Sequence, residues 1–134
     1  MTEQFGIAGN TEVNVGDKMT DGTIFAGISP ETKRPMFVLP KDESLTMSFN
    51  EAQKYSRTLD AGGHKDWRLP TPSELNVLYQ NKDFLKGTFN DSAWYLASPQ
   101  FHGYNDEPHE QRFSDGRRDW NLMGGYSSIR FVRS

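Results

Sequence analysis

The chain contains no cysteine, no long apolar run and no excess of basic residues. The absence of cysteine from the 134 residues excludes disulfides and thiol chemistry, but a domain of this size folds in any compartment without covalent links. No apolar stretch approaches the roughly 20 residues of a membrane span, so we expect no membrane insertion. The formal net charge of −3 disfavours nucleic acid as a partner.

The first 19 residues are predicted to form an arm or linker, because they are polar, rich in glycine and without a regular apolar period. Residues 1–15 have neither the basic start nor the apolar stretch of a signal peptide. The rest of the chain, residues 20–134, has the length of one domain. The sequence leaves the location open between the cytosol, a virion and the cell surface.

The stretch from residue 62 to residue 75 organises this domain. Gly62 is expected to end a first helix, and Trp67 to be buried between two helix boundaries. Thr71 then has the spacing to Glu74 that caps the start of a second helix, with Pro72 at its first position. A core role is expected for Trp67 and also for Trp94.

The remaining elements are predicted from local patterns. Ser48 and Glu51 have the capping-box spacing that starts the first helix. Residues 23–28 and 36–39 are expected to form a hairpin, and residues 94–98, 111–113 and 128–132 to form short strands. Long loops with aromatic residues separate these strands. Two short helices packed on small antiparallel sheets with long loops define an α+β fold.

The residues Gly-Gly-His-x-Asp-Trp-Arg-Leu-Pro-Thr-x-x-Glu-Leu, from position 62, resemble the hallmark of the Lcl C-terminal domain family. Residues 94–98 and 128–133 are similar to its middle and final strands. The resemblance covers roughly residues 20–134 and implies a C-type-lectin-like fold, related to that of formylglycine-generating enzymes and of phage and bacterial receptor-binding variable proteins. It also implies adhesion through anionic glycans, while the thiol chemistry of the related enzymes cannot be carried over to a chain without cysteine.

The densest polar segment, residues 102–110, contains two of the three histidines and three acidic residues. It offers oxygen ligands to calcium or imidazoles to a transition metal, but its spacing matches neither an EF-hand nor a zinc site. We expect a solvated loop, no metal and no cofactor, with calcium as the ion that would contradict this. No familiar catalytic framework surrounds the histidines, so we expect a non-catalytic protein.

Residues 112–134 contain five arginines and two aspartates, a local balance of +3 in an acidic chain. Arginine beside exposed aromatic residues suits anionic sugars and acidic protein surfaces equally. Arg130 and Arg133 are expected to pair with acids such as Asp66 or to flank the final strand. The candidate ligand-binding residues lie in loop-like sequence: Tyr104, Arg117, Arg118, Trp120, Asn121 and Tyr126.

The sequence therefore predicts a recognition domain for a glycan or a protein receptor, as in an adhesin or a phage tail protein. The alternative is a structural domain of a larger assembly, with a homo-oligomer surface that matters more than any ligand. An enzyme is the third reading.

Overall fold

The computed structural model of the chain describes residues 13–41, 45–98, 109–120 and 126–134, and only the backbone of Trp120. The described part contains two α-helices, one 3-10 helix and seven strands. In chain order they are β1 Ile24–Ile28, β2 Pro35–Val38, β3 Thr46–Met47, α1 Phe49–Thr58, α2 Pro72–Gln80, the 3-10 helix Lys82–Phe84, β4 Trp94–Ala97, β5 His109–Arg112, β6 Arg118–Trp120 and β7 Ser127–Ser128.

Both helices begin where the sequence predicts, each with a complete capping box. The Ser48 side chain accepts from the Glu51 amide in α1, and the Thr71 side chain accepts from the Glu74 amide in α2. The end of α1 differs from the prediction, because the helix stops at Thr58 and the backbone is already extended at Leu59. Gly62, with φ +61°, instead lies in a turn that follows the helix.

The strands form two sheets. β1 and β2 make the predicted hairpin, and the second sheet has the order β3-β7-β4-β5-β6. Its pairs are antiparallel except β4 with β7, which run parallel. The predicted strand over residues 128–132 is mostly absent, since β7 covers only Ser127–Ser128, and the chain then forms isolated bridges through Val132 and Arg133.

Two apolar clusters make up the core, one around Tyr95 and Phe113 and the other around Trp67 and Phe131. Trp67 is 3% exposed and its Nε1 donates to the carbonyl of Ala61 at 3.0 Å, which confirms its predicted burial. After Trp67 the chain forms an isolated antiparallel bridge between Arg68 and Val132. There Arg68 and Val132 exchange two backbone hydrogen bonds.

The part of the predicted arm that the structure describes, residues 13–19, contacts the domain. Val13 is buried, and the Gly16 amide donates to the Phe25 carbonyl at 2.9 Å. These contacts place the segment beside β1. Residues 1–12 lie outside the described residues, and the boundary at residue 19 stays a prediction.

The α+β class predicted from the sequence is confirmed, with two helices and two small sheets. The C-type-lectin-like topology stays a prediction that rests on the family resemblance. Within the described ranges, no helix is long and apolar enough to cross a membrane.

Candidate functional site

The candidate site is built on the hairpin of β5 and β6. Its strands pair Gln111 with Arg118, and the Arg112 amide donates to the Arg117 carbonyl at 2.8 Å beyond that pair. The turn between the strands closes when the Gly116 amide donates to the Arg112 carbonyl at 2.7 Å. Gly116 has φ +80°, and a Cβ at this position would lie 2.6 Å from the Tyr79 ring, so only glycine fits here.

Gln111 fastens this hairpin to helix α2. Its Nε2 donates to Asn76 Oδ1 at 2.9 Å and to the Gly116 carbonyl at 3.0 Å. The side chain is buried, and its Oε1 has no hydrogen-bond partner among the described residues. Helix α2 therefore fixes both the strand and the turn. Local sequence does not single out Gln111 or Asn76, because their contact joins positions 35 residues apart.

Arg118 and Trp120 were expected to lie in a loop, but both belong to strand β6. Residues 118–120 are a strand, in which successive side chains alternate between the two faces of the sheet. This alternation places Arg118 on the face of Gln111, and Arg117 and Asp119 on the opposite face. The candidate residues on this strand therefore face in two directions.

The five C-terminal arginines have different roles. Arg112 forms an ion pair with Asp115, and Arg133 pairs with Asp66 through two hydrogen bonds of 2.7 and 3.1 Å. Arg130 is buried and donates to the carbonyls of Thr88 and Leu39. The pairing of Arg133 with Asp66 is confirmed.

Arg117 and Arg118 differ from these three. Both side chains are exposed, and neither has an ion-pair partner in the part of the chain that the structure describes. The charge of Arg117 also helps to lower the pKa of Asp115, and the charge of Arg118 acts on His109. The hydrogen bond from Arg112 and the Arg117 amide hold the pKa of Asp115 at about 2, so this carboxylate neutralises Arg112 throughout the physiological range.

Trp94 is not the core residue that the sequence predicts. It is half-buried and belongs to neither core cluster, and the Arg112 guanidinium lies over its ring at 5.1 Å from the centroid. Trp94 on β4 pairs with Arg112 on β5, and Arg117, the residue before β6, lies beside Arg112. An aromatic ring and two cations thus share one row of the sheet face.

Of the other candidate residues, the structure describes Tyr126 in full. Tyr126 is 66% exposed and precedes β7, which β4 and β5 separate from β6. With neighbouring strands about 4.8 Å apart, β7 lies roughly 14 Å from β6, so Tyr126 is not brought onto that strand. Tyr104 and Asn121 lie outside the described residues, and so does the Trp120 side chain. It stays a prediction that these residues form one ligand-binding patch with Arg117 and Arg118.

The ends of β4 and β6 and the start of β5 lie at one end of the sheet. Ala97 pairs with His109, and His109 pairs with Trp120, so these three residues lie at the same end. Burial, followed by the nearby charge of Arg118, lowers the pKa of His109, which favours its neutral form there.

No group of three or more metal-binding side chains occurs within the described ranges. Most of the polar segment 102–110 lies outside them. The expectation of no metal there, with calcium as the exception, stays a prediction.

These features define a small α+β domain whose hairpin exposes two adjacent arginines, Arg117 and Arg118. The sequence model of the Lcl C-terminal domain family matches residues 26–133. The chain belongs to this family, as its central motif predicts. A comparison with curated proteins finds no match.

Proposed function

We propose that this protein is a non-catalytic recognition domain that binds a glycan or a protein receptor through its C-terminal part, residues 100–126. Arg117 and Arg118 supply the charge that attracts the ligand. Trp120, Tyr104, Asn121 and Tyr126 supply the polar and aromatic contacts. Adhesion is also what the family resemblance implies.

The observation that carries this proposal is the difference among the C-terminal arginines. Three of them are neutralised by aspartate or bound to carbonyls, and these stabilise the fold. Arg117 and Arg118 are adjacent, exposed and without an ion-pair partner among the described residues. Exposed guanidinium groups on an ordered hairpin suit sulfate or carboxylate groups, which guanidinium binds with paired hydrogen bonds.

The register of the sheet supports the same location. Ala97 and His109, between which Tyr104 falls in the sequence, lie at the same end of the sheet as the Trp120 backbone, which precedes Asn121. Binding residues concentrate on segments that a rigid scaffold positions. The absence of cysteine supports the non-catalytic part of the proposal, because it removes the chemistry of the fold-related enzymes.

A binding array of glycans and receptor proteins, read at two salt concentrations, tests the proposal. The double variant Arg117→Ala/Arg118→Ala should weaken binding and flatten its salt dependence, because charge-led binding is screened by ions. The matched control is Lys54→Ala/Arg57→Ala, which removes the same charge from the exposed side of α1. This control should bind like the parent protein.

Equal binding by the parent and both double variants would place recognition elsewhere. If no ligand binds and sedimentation shows a stable oligomer, the structural-domain alternative replaces the proposal.

A further inference from the structure

Arg118 and His109 lie on the face of the hairpin that is turned toward helix α2. Gln111 defines this face, because its Nε2 donates to Asn76 of that helix. Arg118 pairs directly with Gln111, and His109 precedes Gln111 by two residues on β5, so the three side chains point the same way. Arg118 is exposed and His109 is half-buried, so both side chains are accessible.

The two side chains are close enough to share one ligand group. His109 pairs with Trp120 of β6, which makes Arg118 its diagonal neighbour across the two strands. Diagonal neighbours of an antiparallel pair lie about 7–8 Å apart, a distance that long side chains span. Burial, and after it the charge of Arg118, lowers the pKa of His109, so the guanidinium acts on the imidazole across this gap.

The carboxylates of β5 and β6 lie on the other face of the hairpin. Glu110 of β5 pairs with Asp119 of β6. Because successive side chains of a strand alternate, both carboxylates point away from the face of Arg118. Arg117 shares the face of the two acids. The carboxylates of these strands therefore offset the charge of Arg117 more than that of Arg118.

The elements packed against the α2 face add no net negative charge among the described residues. Glu74 is the only charged residue of α2, and it is buried and bonded to Arg68. Tyr79 of the same helix packs on the hairpin turn, and Lys82, in the 3-10 helix that follows, is a further cation. The neighbouring strand β4 contains no charged residue. An anion on this face would meet only cations and neutral groups of these elements.

We infer that Arg118 and His109 together bind one anionic group of the ligand, a sulfate or a carboxylate, and that His109 takes up a proton when it binds. This inference rests on the proposed function and assigns the anion to one face of the hairpin. The guanidinium of Arg118 supplies the paired N–H donors that fit such an oxyanion. The imidazolium supplies the second charge, while Arg117 on the other face adds attraction without contact.

Binding should therefore strengthen as the pH falls. In the free protein the lowered pKa of His109 keeps the imidazole neutral at pH 7. A bound anion favours the imidazolium and raises that pKa, since an opposite charge nearby stabilises the charged form. We expect the affinity to be about tenfold higher at pH 5 than at pH 8, the effect of one neighbouring charge on a proton equilibrium.

The test is a titration of the protein with a sulfated oligosaccharide at pH 5 and pH 8, at equal ionic strength. Sulfate esters stay charged over this range, so a change in affinity comes from the protein. The same titrations with an aspartate-rich peptide distinguish a sugar sulfate from a protein carboxylate as the source of the anion. The NMR signals of the His109 ring, followed against pH with and without the better-binding probe, should show a pKa that rises on binding.

Three variants of the hairpin separate the roles of its side chains. His109→Gln keeps an N–H donor but cannot take up a proton, so the ratio of its affinities at pH 5 and pH 8 should fall to about one. Arg118→Gln should bind about tenfold more weakly at both pH values, as expected for lost hydrogen bonds from a charged group. The matched control Arg117→Gln removes the same charge one residue away. It should lose less affinity and keep the full pH dependence.

Equal affinity of the parent protein at the two pH values would overturn the inference, and so would a His109 pKa that does not change on binding. A pH dependence that His109→Gln retains would assign the proton to another group. Thermal melts confirm that the variants fold, and the NMR titration needs only the parent protein. If a probe binds through Arg117 and Arg118 without these effects, the proposed function stands and the role of His109 is wrong. If neither probe binds at either pH, the inference is wrong, and the binding array decides the proposed function.

Discussion

The replacement Arg68→Ala removes the only cation that faces the Glu74 carboxylate among the described residues. Glu74 is fully buried, and Arg68 donates to its two oxygens at 2.6 and 2.9 Å. Ser29 Oγ and the Thr71 amide add bonds of 2.5 and 3.0 Å. Removing one partner of a buried ion pair leaves an uncompensated charge and destabilises a fold by about 3–5 kcal/mol. We expect a loss in that range at pH 7.

The size of this loss should depend on pH. Burial alone would raise the Glu74 pKa, but the bonds from Arg68, Ser29 and the Thr71 amide outweigh burial and hold the pKa below its usual 4.5. The parent protein therefore gains stability from this carboxylate above pH 4.5 and loses it as the pH falls. Without Arg68, burial dominates and raises the folded pKa, so the variant instead loses stability as the pH rises. The difference between the two proteins should widen from acid to neutral pH.

Urea denaturation of both proteins at several pH values measures this difference. The control is Lys65→Ala, which breaks an ion pair with Asp60 in which both side chains are exposed, 79% and 59%. Exposed pairs contribute about 0–1 kcal/mol, so the control should lose little. If Arg68→Ala loses no more than the control, or if its loss is the same at every pH, the carboxylate does not depend on Arg68 and the reasoning is refuted.

Three further variants test the packing and the turns, each by thermal or urea melts. Trp67→Ala should lose roughly 3–5 kcal/mol, since it removes a buried indole, and an unchanged melt would contradict its placement. Thr71→Ala should lose about 1 kcal/mol through the cap of α2 while ligand binding is kept; the reverse outcome would assign Thr71 to a site. Gly116→Ala should lose more than Gly63→Ala, because both have φ near +80° but only a Cβ at 116 meets the Tyr79 ring; equal losses would show that the ring moves aside.

The helix starts could be predicted because their determinants are local. Ser48 with Glu51, and Thr71 with Glu74, are three residues apart, so the sequence itself contains the complete capping interaction. The same sequence could not show that Glu74 is also the buried partner of Ser29, which lies 45 residues away. Local spacing predicts caps, but a buried network depends on which segments the fold brings together.

Strand β6, in contrast, could not be predicted from its local sequence. Arg118 and Asp119 are charged and show no alternation of apolar and polar residues, so the pattern predicts a loop. Pairing with β5 makes the segment a strand, because the Gly116 turn returns the chain antiparallel to it. The expectation that Trp94 is a core residue is wrong for a related reason. Its strand was predicted correctly, but the guanidinium of Arg112 covers one face of the ring in place of core side chains.

The central motif and the candidate site are connected through helix α2. The motif fixes the start of α2 by the Thr71 cap and the buried Glu74. One to two turns later the same helix presents Asn76 to Gln111 and Tyr79 to Gly116, and these contacts hold the hairpin that carries Arg117. A substitution in the motif should therefore change both stability and the position of the hairpin. A substitution at the exposed Arg117 leaves these supports intact, so it should change binding with an effect on stability within about 0.5 kcal/mol.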